Sequence, residues 1–227
     1  MKARLHAIRR RIRDAAVASG RDPDSVTLVA VSKTVSADRV REAADAGLRI
    51  FGENYIQEAL KKIDEIADPR LSWHFIGHLQ SNKAKYVVRA FDLIHSVDSL
   101  KLAAEISRQA EKLGKMQDIL VQVNVGGESS KSGATPKDAL DLVTAISRLS
   151  HLRVLGLMTL PPFFDAPEKV RPYFRALADL KQKIQAANLP GVEMKDLSMG
   201  MSGDFEAAIA EGATLVRIGT LLFGERK

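Results

Sequence analysis

The stretch Thr27-Leu-Val-Ala-Val-Ser-Lys33 is short, mostly apolar and rich in β-branched residues, and it ends in a lysine. This composition is typical of a strand that is buried on both faces of a parallel sheet. In barrels of parallel strands, reactive groups usually lie at the carboxyl ends of the strands. Burial also disfavours a charged ammonium and frees the neutral amine that attacks carbonyl groups. Lys33 is therefore the first candidate for a functional residue.

Seven more short runs along the chain are interpreted as strands, most of them near-continuous apolar runs, and amphipathic stretches such as residues 36–46, 98–113 and 168–187 separate them. Eight strand-then-helix units predict a single (β/α)₈ TIM barrel, a fold that usually has about 250 residues. The alternative, an open doubly wound sheet, usually has fewer strands. The predicted strands are residues 27–32, 49–52, 72–76, 93–97, 119–124, 153–158, 193–198 and 214–219.

The two ends of the chain complement each other in this prediction. Only residues 221–227 follow the eighth strand, which is too few for a full last helix. An extra N-terminal helix, with Leu5, Ile8, Ile12 and Ala15 on one face, is expected to cover that gap. Another helix is predicted to follow Thr135 as N-cap and Pro136 as first residue. With no internal linker or low-complexity segment, residues 1–227 are predicted to form one domain.

Composition narrows the class of function. The chain has 227 residues, 45% of them apolar, and its 34 Lys and Arg against 28 Asp and Glu give a modest net charge of +6. The absence of Cys excludes disulfides and thiolate metal sites.

Without a signal-like start or an apolar run of about 18 residues, we expect a cytoplasmic protein with no membrane span. The basic residues Arg9, Arg10, Arg11 and Arg13 are interpreted as a solvated helix face, not a nucleic-acid surface.

Two glycine-containing loops predict a phosphate site. They are Ser198-Met-Gly-Met-Ser-Gly-Asp204 and Arg217-Ile-Gly-Thr-Leu221, after strands seven and eight, where such barrels often bind phosphate. Their glycines expose backbone N–H groups, Ser202 precedes a predicted helix over residues 203–210, and Thr220 adds a hydroxyl. Alternatively, Ser202 only caps its helix and Gly219 only ends a strand. Asp204 is a further objection, because its carboxylate would repel phosphate unless it pointed away.

Arg217 interrupts an otherwise apolar predicted strand. It is either an outward-facing or ion-paired arginine, or a guanidinium that points inward beside a ligand. In the second case it would donate a hydrogen bond to a ring nitrogen without giving up its proton. An amine, a guanidinium and two phosphate loops suit a ring aldehyde with a phosphate tail.

Along nearly its whole length, the chain resembles a known family, the pyridoxal phosphate homeostasis proteins (the YggS/PROSC family). The most specific matching stretches are Trp73-His-Phe-Ile-Gly-His-Leu-Gln-Ser-Asn-Lys83 and Leu197-Ser-Met-Gly-Met-Ser202. The others are Leu28-Val-Ala-Val-Ser-Lys-Thr34, Phe51-Gly-Glu-Asn54, Ile94-His-Ser-Val-Asp98, Gln122-Val-Asn124, Glu128, Lys131, Gly133, Gly156-Leu-Met158 and Arg217-Ile-Gly-Thr220.

The resemblance implies a barrel like the barrel domain of alanine racemase (PLP fold type III) that binds pyridoxal 5′-phosphate (PLP). It also implies a monomer that carries or buffers PLP and supports PLP homeostasis, and no catalysed reaction is established for that family. By the same match, Lys33 would carry the internal Schiff base and Arg217 would face the pyridine nitrogen. Ser202, Gly219 and Thr220 would hold the phosphate with Ser198 and Gly200 close by, and Asn54, His74 and Met158 would line the ring.

A carrier with little or no catalysis is favoured over the alternative, a slow PLP-dependent amino-acid racemase. A racemase needs a base on each face of the substrate, and one base of alanine racemase is a tyrosine from a second domain of the partner subunit. This chain has only Tyr55, Tyr86 and Tyr173, of which Tyr55 could approach the site. Apo PLP enzymes are the expected partners that would receive PLP.

Four other features receive weaker interpretations. His74 and His78 have the four-residue spacing of a zinc pair, but they run from a strand into a loop, so no metal site is predicted. His95 would either touch the ligand or be a hydrogen-bonded core residue. The loop over residues 126–132 lacks the glycine before its lysine that nucleotide loops have. Lys131, in that loop, is a candidate second contact for PLP.

Overall fold

The eight strands of the chain form a closed parallel barrel, in a computed structural model that describes residues 1–128, 131–162, 164 and 166–225. Each strand pairs with its neighbours in chain order, and β8 closes onto β1. The predicted TIM barrel is thus confirmed, and each predicted strand boundary lies within two residues of the observed one. The strands are β1 (Thr27–Val31), β2 (Ile50–Glu53), β3 (Ser72–Phe75), β4 (Leu93–Val97), β5 (Gln117–Gln122), β6 (Leu152–Met158), β7 (Val192–Ser198) and β8 (Leu215–Ile218).

Helices cover the outside of the barrel. None of those in the described ranges has both the length and the apolar character that a membrane crossing requires. The helices are α1 (Lys2–Ala18), α2 (Ala37–Asp45), α3 (Ile56–Ile66), α4 (Ala84–Ala90), α5 (Leu100–Lys112), α6 (Ala139–Ile146), α7 (Arg171–Ala186), α8 (Phe205–Ala210) and α9 (Thr220–Phe223).

Helix α1 packs against α8 and the short α9, as its apolar face predicted. It buries Leu5, Ile8 and Ile12, and the fourth buried position is Ala16 where Ala15 was expected. Polar contacts also hold it, because Arg11 pairs with Glu206 of α8 at 2.5 Å. The extra helix therefore fills the outer layer that the short α9 leaves open.

Two helix starts differ from the predictions. Helix α6 begins at Ala139, because Thr135 Oγ1 accepts the Asp138 N–H at 3.2 Å and closes a separate turn first. Helix α8 begins at Phe205, two residues after the predicted start. In both cases a side chain bonds within a turn and delays the helix.

The barrel interior is layered along its axis. Its apolar plug comprises Val29, Leu93, Leu120, Leu155, Met158 and Leu215, which form a core cluster separate from the core under the helices. Two residues further along β4 and β8, on the same strand faces, come His95 and Arg217. A buried polar layer thus lies between the apolar plug and the carboxyl ends of the strands.

Candidate functional site

Lys33 lies two residues after the end of β1 and lines a cavity of about 340 Å³ at the carboxyl end of the barrel. Its side chain is half-buried. Loops from five other strands complete the walls. Six of the ten residues predicted for the site line this cavity, namely Lys33, Asn54, Ser202, Arg217, Gly219 and Thr220.

The other four predicted residues lie beneath or beside the cavity and are not among its described lining residues. Met158 belongs to the apolar plug, and His74 and Ser198 belong to the buried polar layer. The Gly200 carbonyl accepts the Arg217 N–H at 3.0 Å. Direct contact of these four with a ligand stays a prediction.

Arg217 projects into the barrel and is 3% exposed. Its Nη1 donates to Ser198 Oγ at 2.6 Å and its Nη2 donates to the Thr159 carbonyl at 2.8 Å. Burial lowers the pKa of Arg217 to about 10, an effect that Asp204 partly opposes. The guanidinium is therefore still charged at neutral pH, and it is fixed at the floor of the cavity.

A row of hydrogen bonds continues from Arg217 through the polar layer. Ser198 Oγ lies 2.8 Å from His95 Nδ1, and His95 Nε2 lies 3.0 Å from His74 Nδ1. Burial lowers the pKa of His74 to about 4 and holds the pKa of His95 well below its usual value. Both imidazoles are thus neutral at pH 7. His95 is a hydrogen-bonded core residue, the second of its two interpretations.

The loop after β7 places Ser202 and Gly203 on the cavity wall ahead of α8. Asp204, not Ser202, holds the N-cap position of α8, so helix capping does not account for Ser202. The Asp204 carboxylate accepts the Met201 N–H at 2.6 Å, and burial raises its pKa. The hydrogen bond from the Met201 N–H partly offsets the negative charge of Asp204, and with it the expected repulsion of an anion.

Gly219 brings the loop after β8 close to β1. A Cβ atom on Gly219 would lie 3.3 Å from the Val31 carbonyl oxygen, so glycine permits this approach. Gly219 and Thr220 also line a second cavity of about 330 Å³ on the outer side of Lys33. The loop and the lysine are thereby adjacent, although they are almost 190 residues apart in sequence.

Asn54, directly after β2, leaves its buried Oδ1 without a hydrogen-bond partner among the described residues. Buried polar atoms normally have partners, so an unpaired acceptor on a cavity wall is suited to a ligand donor. Asn54 also borders a neighbouring groove that includes Tyr55, Tyr86 and Lys83.

Sequence reasoning missed the apolar wall of the cavity. The segment after β6 contributes four residues to the lining of the Lys33 cavity, namely Leu160, Phe164, Pro167 and Val170. An apolar run in a loop at the carboxyl edge of a barrel was a usable signal for this wall. Phe163 and Asp165, in the same segment, lie outside the described residues.

Three tyrosines and Lys131 remain among the predicted candidates. None of the three tyrosines is among the described lining residues of the Lys33 cavity. Tyr173 stacks on Phe164, and their ring centroids are 5.6 Å apart. Lys131 Nζ donates to the Pro161 carbonyl at 2.9 Å and pairs with Glu128. Its neighbours Ser129 and Ser130 lie outside the described part of the chain.

The residues on this cavity fit a phosphorylated ring aldehyde. Lys33 supplies an amine, Arg217 a fixed cation and hydrogen-bond donor, and Asn54 an unpaired acceptor. The glycine-containing loops at Ser202 and Gly219 supply N–H groups and hydroxyls on the same wall. The apolar segment after β6 provides a surface for one face of a ring.

The sequence matches the family model of the alanine racemase N-terminal domain over residues 3–227. A pyridoxal phosphate homeostasis protein of Aquifex aeolicus is 49% identical over 224 residues, which cover 99% of this chain and 97% of that protein. A pyridoxal phosphate homeostasis protein of Pseudomonas aeruginosa is 51% identical over 216 residues, which cover 95% of this chain and 91% of that protein. The structure of PipY of Synechococcus elongatus with PLP bound has a TM-score of 0.85 at 38% identity, covering 98% of this chain and 99% of that one.

Proposed function

The chain belongs to the pyridoxal phosphate homeostasis protein family, and on that premise we propose that it carries or buffers PLP through a covalent bond to Lys33. The observation that carries the proposal is the meeting of Lys33, Arg217 and the Gly219–Thr220 loop on one cavity. The PLP-bound structure of PipY supports it, because that relative has the same fold at 38% identity.

When bound, PLP supplies an aldehyde that combines reversibly with amines and a ring that can accept electrons. Lys33 Nζ would attack the aldehyde carbon to form a C=N bond, and one water molecule would leave. Ser202, Gly219 and Thr220 would hold the phosphate. The covalent bond and the phosphate contacts together would retain PLP, and hydrolysis of the C=N bond would return it.

Arg217 favours storage over catalysis. With its pKa at about 10, Arg217 keeps its proton when it donates to the ring nitrogen, so that nitrogen stays unprotonated. An unprotonated ring is a weaker electron sink. Among the described residues of the cavity wall there is also no tyrosine to take a Cα proton. Little or no catalysis is therefore part of the proposal, and a slow racemase is the alternative that its test addresses.

The test follows PLP and substrate protons in the same preparations. Wild-type protein loaded with PLP is mixed with an apo PLP enzyme, and recovery of that enzyme's activity reports transfer. Amino acids are incubated in deuterium oxide with the loaded protein, and exchange at Cα reports deprotonation. We expect transfer that depends on Lys33, and exchange no faster than with free PLP. Racemisation or exchange at ordinary enzyme rates, about 1 s⁻¹ or more, would establish the racemase instead.

We also propose that the protein acts as a monomer in the cytoplasm and that apo PLP enzymes receive its PLP. The absence of Cys from the sequence agrees with a reducing compartment. Sedimentation at several protein concentrations tests the monomer, since a mass that rises with concentration would contradict it.

A further inference from the structure

The turn that carries Lys33 is held from both sides by charged side chains of α3. Thr34 has a φ of 62°, a left-handed conformation that residues other than glycine adopt at a cost. Its N–H donates to Glu58 Oε1 at 2.6 Å. On the other side of Lys33, the Ser32 carbonyl accepts from Lys62 Nζ at 2.7 Å. The backbone on each side of the lysine is thus bonded to a charged group.

Lys62 is the centre of this arrangement and is 5% exposed. Besides the Ser32 carbonyl, its Nζ donates to Glu53 Oε1 at 2.6 Å and to Glu58 Oε1 at 2.9 Å. An ammonium has three N–H donors, so each donor has one acceptor. Glu58 Oε1 therefore accepts hydrogen bonds from both Lys62 Nζ and the Thr34 N–H. Lys62 thus contacts one end of the turn directly, at Ser32, and the other end through Glu58.

Glu53, the last residue of β2, completes the cluster and is fully buried. Its Oε1 accepts the Ser32 hydroxyl at 2.6 Å as well as Lys62. Burial raises the pKa of Glu53, and the bonds to Lys62 and Ser32 oppose that rise. A buried group of charges has a large desolvation cost and adds little net stability, so stability alone does not account for this cluster.

We propose that Lys62 is a positioning residue for Lys33: by holding Ser32 directly and Thr34 through Glu58, it sets the direction in which the Lys33 amine enters the cavity. Neither Lys62 nor its two carboxylate partners is among the described lining residues of that cavity. Their action on PLP is therefore indirect. The inference rests on the proposed function, since it concerns the covalent bond between Lys33 and PLP.

The test compares Lys62→Met with Lys115→Met. Lys115 is a matched control, because it is a half-buried lysine that donates to the Val88 carbonyl at 2.9 Å, at the opposite end of the barrel. Three measurements are made: hydrogen exchange of the Thr34 amide without PLP, the rate of adduct formation with PLP, and binding of pyridoxine 5′-phosphate. The last compound keeps the phosphate but has no aldehyde.

In Lys62→Met we expect faster exchange at Thr34 and adduct formation slower by roughly tenfold, while pyridoxine 5′-phosphate binds as in the wild type. Lys115→Met should match the wild type in all three. If Lys62→Met does not fold, Glu58→Gln replaces it in the test. We then expect the same two effects, faster exchange at Thr34 and slower adduct formation, but of smaller size. A wild-type rate of adduct formation in the folded variant overturns the inference alone. A wild-type protein without an adduct at Lys33 overturns the proposed function, and the inference falls with it.

Discussion

Arg217 Nη1 and Ser198 Oγ are joined by a buried hydrogen bond of 2.6 Å that connects the cavity to the polar layer of the barrel. The serine also contacts His95 Nδ1 at 2.8 Å, so one hydroxyl links a charged guanidinium to a neutral imidazole. Because the pair lies on neighbouring strands β7 and β8, the barrel itself fixes its geometry. The orientation of Arg217 therefore depends on groups that do not line the cavity.

Replacing Ser198 with alanine leaves buried polar atoms of Arg217 and His95 unpaired. We expect Ser198→Ala to lower the free energy of unfolding by about 1–3 kcal/mol and to alter the absorbance spectrum of bound PLP, because Arg217 loses one of the two hydrogen bonds that orient it. Urea unfolding and absorbance measure the two effects. Ser107→Ala is the matched control, since Ser107 donates to the Ser150 carbonyl away from the cavity. If the absorbance spectrum of bound PLP is the same in the wild type, Ser107→Ala and Ser198→Ala, Ser198 does not orient Arg217 as described.

The buried His74 makes stability depend on pH. Its pKa is lowered from 6.5 to about 4, so between these values the unfolded chain binds more protons than the folded one. The free energy of unfolding therefore decreases as the pH falls through this window, by about 2 kcal/mol between pH 7 and pH 5 for this group. His95 contributes in the same direction. Urea unfolding at both pH values measures the decrease.

The variant His74→Gln removes one titrating group and should show a smaller decrease over the same pH interval, whatever its stability at pH 7. His6→Gln, at an exposed position of α1, is the control and should keep the full decrease. Equal decreases in wild type and His74→Gln would be incompatible with a buried neutral His74.

Two glycines of the loop after β7 should respond differently to alanine. Gly200 has a φ of 91°, and a Cβ there would lie 2.6 Å from Ala208 Cβ, whereas a Cβ on Gly203 would meet nothing within 4 Å. Gly200→Ala should lower the free energy of unfolding by about 2 kcal/mol, and Gly203→Ala should change it by about 0.5 kcal/mol or less. Urea unfolding measures both. Similar values for the two variants would show that the loop does not pack as described.

Thr220 tests the phosphate site without disturbing the lysine. Thr220→Val replaces the hydroxyl with a methyl group of similar size and should weaken PLP binding roughly tenfold, because a hydrogen bond to a charged group is lost. Binding of pyridoxal, which has no phosphate, should not change. Thr144→Val, on α6, is the control, since its hydroxyl donates to the Leu140 carbonyl. Equal losses for PLP and pyridoxal would place the phosphate elsewhere.

Most of the strands could be predicted because a barrel strand that is largely buried on both faces reads as a near-continuous apolar run, although β7 carries the exposed Glu193 and Lys195. Arg217 and the two glycine-containing loops were also visible, as a charge inside an apolar run and as glycines after strands seven and eight. That these loops hold a phosphate stays a prediction. Helix starts were less accurate, because Thr135 and Asp204 bond within turns that the apolar pattern does not reveal.

The polar layer and the Lys62 cluster could not be predicted, since they depend on side chains from different strands and helices. His74, His95 and Ser198 are 21 and 103 residues apart along the chain. Lys62 lies among polar residues of an amphipathic helix, where a lysine is normally solvated. Its burial follows from the contacts of α3 with Ser32 and Glu53, which come from the ends of β1 and β2, a tertiary feature that no local pattern encodes.

The central claim is a covalent bond between Lys33 and PLP, and borohydride reduction followed by peptide mapping tests it most directly. The loaded protein is reduced, digested and analysed by mass spectrometry, with Lys33→Ala as the matched variant. We predict one phosphopyridoxyl group on the peptide that contains Lys33, and its loss in Lys33→Ala together with the absorbance of bound PLP. Modification of another lysine in the wild type, with Lys33 unmodified, would contradict the account.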